Sequence, residues 1–186
     1  MVVGYIDPNS DVIAQWQASG INHDHVDDGI REPNVPNSDD IDATDGDENA
    51  VDHYHMTTLE GIDEATKIVV WVYGRGTSGE QAICNARIDD ELYLGAWTCT
   101  NTTFAWRSHT YNGSWTQSDI DGLQIRFTAD SNYGKYDGTW IRACYMEITY
   151  SEVSLGYGHD FLGVPAENID NVSGVPTANI DKIKGV

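Results

Sequence analysis

Two short histidine pairs are the residues whose spacing most suggests chemistry. His23 and His25 are separated by one residue, and so are His53 and His55. Residues i and i+2 of a β-strand point to the same face, so each pair can present two imidazoles to one metal ion. Two pairs can complete a four-nitrogen site, and three copies of one pair can form an octahedral site in a trimer. The alternative is a solvated loop at residues 23–25 and a polar strand face at residues 53–55.

An acidic run over residues 39–48 (DDIDATDGDE) is a second candidate for metal binding. Calcium prefers several carboxylates on a flexible loop. The candidate ligands are Asp40, Asp42, Asp45 and Asp47. The run does not fit an EF-hand, because apolar residues fall at ligand positions when Gly46 is placed at position six. An irregular calcium site therefore stays open beside the simpler interpretation of a solvated acidic loop, and no other cofactor is expected.

The aromatic residues are the remaining functional signal, since the chain has six tryptophans and ten tyrosines. Trp97 and Trp115 lie near predicted turns, where an exposed ring can stack on a sugar. The competing interpretation is that most tryptophans of a domain this small belong to its core. No serine-hydrolase, zinc-protease, P-loop or dinucleotide motif occurs, so we expect a protein that is not an enzyme.

The charge is strongly acidic and unevenly distributed. Thirty acidic and ten basic residues give a net charge of −20, and residues 1–66 contain 16 of the acids but a single base, Arg31. This balance argues against nucleic-acid and membrane partners, because both would present negative charge to the protein. The N-terminal residues lack the features of a signal peptide. The three cysteines, at positions 84, 99 and 144, cannot all pair within one chain, and buried free thiols are favoured over a disulfide.

These candidate residues must be positioned by β-structure. The apolar run Lys67–Tyr73 (KIVVWVY) predicts a central strand covered on both faces. Alternating patterns predict further strands near residues 82–88, 92–97, 104–106, 123–128 and 140–150, with weaker candidates at 12–17 and 51–57. Leu92 and Leu94 are expected on one face with Tyr93 and Trp97 on the other, and Trp140 is expected on the same side as Cys144. Glycine-containing turns are expected at 74–76, 112–113 and 137–138. The pattern is typical of an all-β antiparallel sandwich.

The last 26 residues form a separate segment with an internal repeat, because an 11-residue period relates GVPAENIDNVS to GVPTANIDKIK. Proline at the start and glycine at the end of each unit suits a helix of one or two turns. We expect a sandwich over residues 1–150 with an acidic insert at 22–50, a linker at 151–160 and an assembly tail at 161–186. Its apolar residues need a partner to cover them: Val164, Ile169, Val172, Val175, Ile180, Ile183 and Val186.

Two segments carry a resemblance to a known class of domain. The segment Ser114–Phe127 (SWTQSDIDGLQIRF), followed by Trp140–Tyr150 (WIRACYMEITY), resembles the last strands of the lectin-like jelly-roll sandwich found in structural proteins of tailed phages and environmental viruses. The tail resembles GV-x-x-A-N-I-x-K-I-x-GV repeats of phage virion proteins. The resemblance implies a jelly-roll-like sandwich with a C-terminal attachment segment and implies no reaction and no cofactor.

The function implied by this resemblance is that of a virion structural protein, either a head decoration or fibre or a component of a tail fibre or appendage. Such a protein would assemble in the host cytoplasm as a homo-oligomer, with a trimer favoured, and would contact other virion proteins. One alternative is a carbohydrate-binding, lectin-like module that adheres to host-surface glycans. Another is a microbial extracellular filament subunit, which would require export.

Overall fold

The computed structural model describes residues 1–15, 26, 31–36, 41–43, 51–77, 80–89, 92–131, 138–153, 171–172 and 175–176. The chain divides into two compact units, Met1–Ser151 and Glu152–Val186. Within the described residues, no helix has the length and apolar character needed to cross a membrane.

In its described residues, the first unit is built almost entirely from strands. They are β1 (Val2–Ile6), β2 (Pro8–Ala14), β3 (Ile41–Ala43), β4 (Val51–Met56), β5 (Ile62–Gly76), β6 (Glu80–Ile88), β7 (Leu92–Thr98), β8 (Ala105–Trp115), β9 (Leu123–Ser131) and β10 (Thr139–Glu152). A short helix, α1 (Gln117–Asp121), connects β8 to β9. Thr116 caps this helix, since its hydroxyl accepts from the Asp119 amide while the Asp119 carboxylate accepts from the Thr116 amide.

The strands form two five-stranded sheets. Sheet A has the order β1-β10-β5-β8, with β3 also paired to β10, and sheet B has the order β2-β4-β9-β6-β7. Successive strands mostly alternate between the two sheets, so neighbours within a sheet come from distant parts of the sequence. This connectivity, together with antiparallel pairing, is that of a jelly-roll-like β-sandwich. The predicted fold class is confirmed.

One hydrophobic core lies between the sheets and receives alternate residues from both. From β5 it takes Ile68, Val70 and Val72, and from β9 it takes Leu123, Ile125 and Phe127, all fully buried. Burial of each such side chain contributes about 1.5–3 kcal/mol relative to exposure. On the second face of the run at 67–73, Val69 and Tyr73 are also buried, whereas Trp71 between them is half-buried. The prediction of a central strand is confirmed, since β5 lies between β10 and β8, but its second face is covered only in part.

Two predicted turns are wrong, because both glycine positions lie inside long strands. Gly74 is part of β5 and Gly113 is part of β8. A Cβ at Gly74 would lie 2.6 Å from the backbone oxygen of Trp140, and one at Gly113 would lie 2.7 Å from the Trp115 ring. These glycines therefore permit close packing and do not reverse the chain.

Two predictions of which strand face a residue occupies are also wrong, and both errors occur where a strand is irregular. The β6–β7 register shifts by one residue, because Ala86 is opposite Gly95 but Arg87 is opposite Tyr93. As a result, Leu94 and Trp97 both pack against the core. In β10 the core side is occupied by Ile141 and then by Cys144, and Trp140 is only half-buried and lies outside the core.

The three cysteines are free and buried, as predicted. The thiol of Cys99 donates to the backbone oxygen of Ala82 over 3.3 Å. Burial is the main cause that raises the pKa of Cys84 well above its usual value.

In the second unit, the described residues form a short antiparallel ladder of β11 (Asn171–Val172) and β12 (Val175–Pro176). Val172 is directly opposite Val175. The helical expectation is therefore wrong for these four residues.

Candidate functional site

The outward face of sheet A carries a continuous group of aromatic side chains. Side chains alternate along a strand, so the residues between the core positions of β5 point away from the core, and their ladder partners point the same way. We call this group the outer aromatic face, and it consists of Tyr5, Trp71, Tyr73, Phe104, Trp106, Trp140 and Tyr145.

Ring contacts join six of these residues across four strands, and Trp140 is linked to them through the guanidinium of Arg75. The rings of Trp71 and Tyr145 are nearly parallel, at 12°, with centroids 6.0 Å apart. Those of Tyr73 and Phe104 are also parallel at 12°, with centroids 5.7 Å apart. Trp106 joins the two pairs, with centroids 5.3 Å from Tyr73 and 5.6 Å from Tyr145. Such contacts fix the rings relative to one another, each pair contributing about 0.5–1.5 kcal/mol beyond its buried area.

One end of the face is closed by the segment 31–36. The indole N–H of Trp106 donates to the backbone oxygen of Asn34 over 2.7 Å. The guanidinium of Arg31 lies 4.5 Å from the Tyr145 ring and forms an ion pair of 2.6 Å with Asp7. Tyr145 is only 3 % exposed, and burial is the main cause that raises its pKa to about 12, although Arg31 and a hydrogen bond with the Glu32 backbone act in the opposite direction.

The rest of the face is open and passes from aromatic to polar. Trp71 is half-buried and lies directly opposite Ser108 in the β5–β8 ladder, and Val69 lies opposite Thr110. Ser108 and Thr110 are exposed. Ser108 is thus the direct neighbour of Trp71 on a strand about 4.8 Å away, and Thr110 is its diagonal neighbour. This arrangement can hold a flat apolar surface on the indole and bond polar groups at its edge.

His53 and His55 share the outward face of sheet B, as their spacing predicted. His53 is buried and lies opposite Arg126 in the β4–β9 ladder, and His55 lies opposite Gln124. Nδ1 of His55 is 3.4 Å from Nε2 of Gln124. A guanidinium next to His53 is unfavourable for a cation at this pair.

The other predicted metal ligands mostly lie outside the described residues. His23, His25, Asp40, Asp45 and Asp47 belong to this group. The backbone of Asp42 lies in β3 opposite Trp140. Within the ranges that the structure describes, no three His, Cys, Asp or Glu residues are grouped as a metal site requires. Both metal sites stay predictions.

The two tryptophans expected to stack on sugars have different placements. Trp115 is only 7 % exposed and belongs to the core, so the expectation of an exposed ring is wrong for it. Trp97 is half-buried, packs against the core and stacks on the imidazole of His109 with centroids 5.9 Å apart. The competing interpretation of these tryptophans as core residues is the better one.

The tail residues predicted to mediate assembly lie outside the described residues, except for Val172 and Val175. The assembly role of these seven residues stays a prediction.

Sequence reasoning missed the outer aromatic face. Its signal was present in the run KIVVWVY, where Trp71 and Tyr73 occupy the positions between core residues. Their partners Ser108 and Trp106 follow only from the register of β5 with β8.

No protein-family model matches the sequence, and no curated protein sequence is similar to it. Among solved structures, the C-terminal CBM6 of LamC, a marine laminarinase from Zobellia galactanivorans, matches with a TM-score of 0.44 and 11% identity, covering 80% of this chain and 99% of that one. The carbohydrate-binding module CBM6cm-2 of Cellvibrio mixtus lichenase 5A, in complex with cellotriose, matches with a TM-score of 0.40 and 10% identity, covering 82% and 100%. The VP2 subviral particle of infectious bursal disease virus matches with a TM-score of 0.42 and 9% identity, covering 71% and 33%.

Proposed function

We propose that this chain is a carbohydrate-binding protein, and not an enzyme, that holds a glycan on its outer aromatic face. The observation that carries the proposal is the position of Trp71, a half-buried indole on an outward sheet face with the exposed hydroxyls of Ser108 and Thr110 beside it. A sugar ring has one apolar face of C–H groups and a rim of hydroxyls. An indole bordered by hydroxyls matches both parts of that surface.

The rigidity of the face also favours binding. Trp71 is held against Tyr145, and Tyr145 is held by Trp106 and by the guanidinium of Arg31. Because these rings are already ordered, binding of a sugar does not incur the entropic cost of ordering them. The competing explanation is that the face is only a small outer core covered by residues 31–36, and it predicts no ligand.

A glycan array with matched variants distinguishes these explanations. We expect saturable binding by the full chain, and at least about a fivefold loss in the Trp71→Ala variant, since stacking is worth about 1 kcal/mol or more. The variant Ser108→Gln changes an exposed position and should weaken binding by covering the indole. The matched control is Tyr93→Ala, which removes an exposed aromatic ring from sheet B. A blank array, or equal losses in the Tyr93 control, would overturn the proposal.

The virion role is a second proposal and is compatible with the first. It is supported by the 11-residue repeat at the C-terminus, whose apolar residues need a partner. In this view the tail attaches the protein to a particle as an oligomer, and the sandwich binds glycans of the host surface.

A further inference from the structure

At the end of the outer aromatic face away from Arg31, two arginine side chains lie against one phenyl ring. Cζ of Arg142 is 3.9 Å and Cζ of Arg75 is 5.0 Å from the centroid of Phe104. Cζ of Arg75 is also 4.3 Å from the ring of Trp140. Because the Phe104 ring is parallel to the Tyr73 ring, the two guanidiniums extend the outer aromatic face beyond Phe104.

Two aromatic rings contact the guanidinium of Arg75, and no acid among the described residues pairs with it. Arg31 is paired with Asp7, and Lys67 lies 3.6 Å from a carboxylate oxygen of Glu147. Arg75 is exposed, and within the part of the chain that the structure describes it forms no ion pair and no hydrogen bond. Among the described residues, its planar fork of N–H donors contacts Phe104 and Trp140, an arrangement in which the fork can bind an anion.

The surroundings make this position unusual for the protein. The chain has a net charge of −20, yet two of its ten basic residues converge on one ring. A carboxylate suits the site, since a guanidinium can bind its two oxygens through two parallel N–H···O bonds.

We propose that Arg75 binds the carboxylate of a uronic acid residue at the end of the glycan on the outer aromatic face. This inference rests on the proposed function and names its ligand class as an acidic oligosaccharide. The net charge repels polyanions at long range. The preferred ligand is therefore short, with its anionic group at the Arg75 end and a second ring over Trp71.

The test compares matched sugars and matched arginine variants of the full chain. The probes are tetrasaccharides of galacturonic, mannuronic and glucuronic acid, each beside its carboxyl-reduced counterpart, and binding is measured by titration calorimetry. We expect at least one acid to bind about fivefold or more tighter than its reduced form, since its carboxylate gains hydrogen bonds from a charged but solvent-exposed guanidinium. The variant Arg75→Gln should abolish this difference, while Arg126→Gln, on the outward face of sheet B, should keep it.

The outcomes separate this inference from the proposed function. Equal binding of an acid and its reduced form, or a preference retained in Arg75→Gln, overturns the inference and leaves the glycan-binding function intact. Failure of all the tetrasaccharides to bind, together with a blank glycan array, overturns both. An Arg75→Lys variant that retains only part of the preference supports the planar fork as the feature that matters.

Discussion

The hydroxyl of Tyr54 donates a hydrogen bond of 2.7 Å to Oδ2 of Asp52, and both residues are fully buried. The other carboxylate oxygen, Oδ1, accepts from the backbone N–H of Gln15 over 2.7 Å. Asp52 therefore connects β4 to the end of β2 inside the sandwich. A polar group in this position requires its partners, because water cannot replace them.

The variant Tyr54→Phe should accordingly destabilise the fold. It removes one hydrogen bond to a buried carboxyl group and leaves the ring contact with Phe127 in place. We expect the free energy of unfolding, measured in urea, to fall by about 1–3 kcal/mol. Tyr5→Phe, at a tyrosine that is 48% exposed, is the control and should change it by less than about 0.5 kcal/mol. Equal stability of the two variants would contradict the structural role of the pair.

Stability should decline at alkaline pH. The pKa of Tyr145 is raised to about 12 in the folded chain, against about 10 for an unfolded tyrosine. Because the folded state holds this proton more tightly, the contribution of Tyr145 is fully present below pH 10 and is lost as the pH rises towards 12. The Tyr145→Phe variant should show a shallower decline in its urea midpoint over this range. An unchanged slope would contradict the burial of Tyr145 beneath residues 31–36.

Divalent cations should raise the thermal midpoint of the protein. Residues 1–66 carry 16 acids and one base, so their mutual repulsion opposes folding and is relieved by screening or binding. A rise that saturates at low calcium concentration would indicate a discrete site, and a rise that follows ionic strength alone would indicate screening. No response to calcium, magnesium or salt would contradict the electrostatic argument.

Deletion of residues 161–186 should leave a folded sandwich that no longer assembles. The first compact unit ends at Ser151, before the tail begins. Sedimentation of the full and truncated chains measures the change, and near-ultraviolet circular dichroism checks that the sandwich is intact. If the truncated chain forms the same oligomer as the full chain, the repeat is not the assembly element.

The strands of the core could be predicted from sequence because their alternation is local. Leu123, Ile125 and Phe127 recur at every second position, and all three are fully buried. The errors occur where tertiary contacts override local preference. Gly74 resembles a turn residue in the sequence, but the backbone of Trp140 passes so close to it that only glycine fits within the strand.

The outer aromatic face could not be predicted in the same way, because its residues come from strands far apart in the sequence. Trp71 lies beside Tyr145 and opposite Ser108 only through the order β10-β5-β8 and the register of those strands. Conversely, the sequence made Trp115 a candidate because it follows a predicted turn at Gly113, and that turn does not exist. Placement of an aromatic ring on a surface therefore depends on register, which composition and spacing do not contain.

A crystal structure with an oligosaccharide selected on the array would show whether the outer aromatic face holds a glycan. We expect a sugar ring stacked on the indole of Trp71, with its hydroxyls bonded to Ser108 or Thr110. A sugar bound at another surface, with the outer aromatic face left unoccupied, would contradict it.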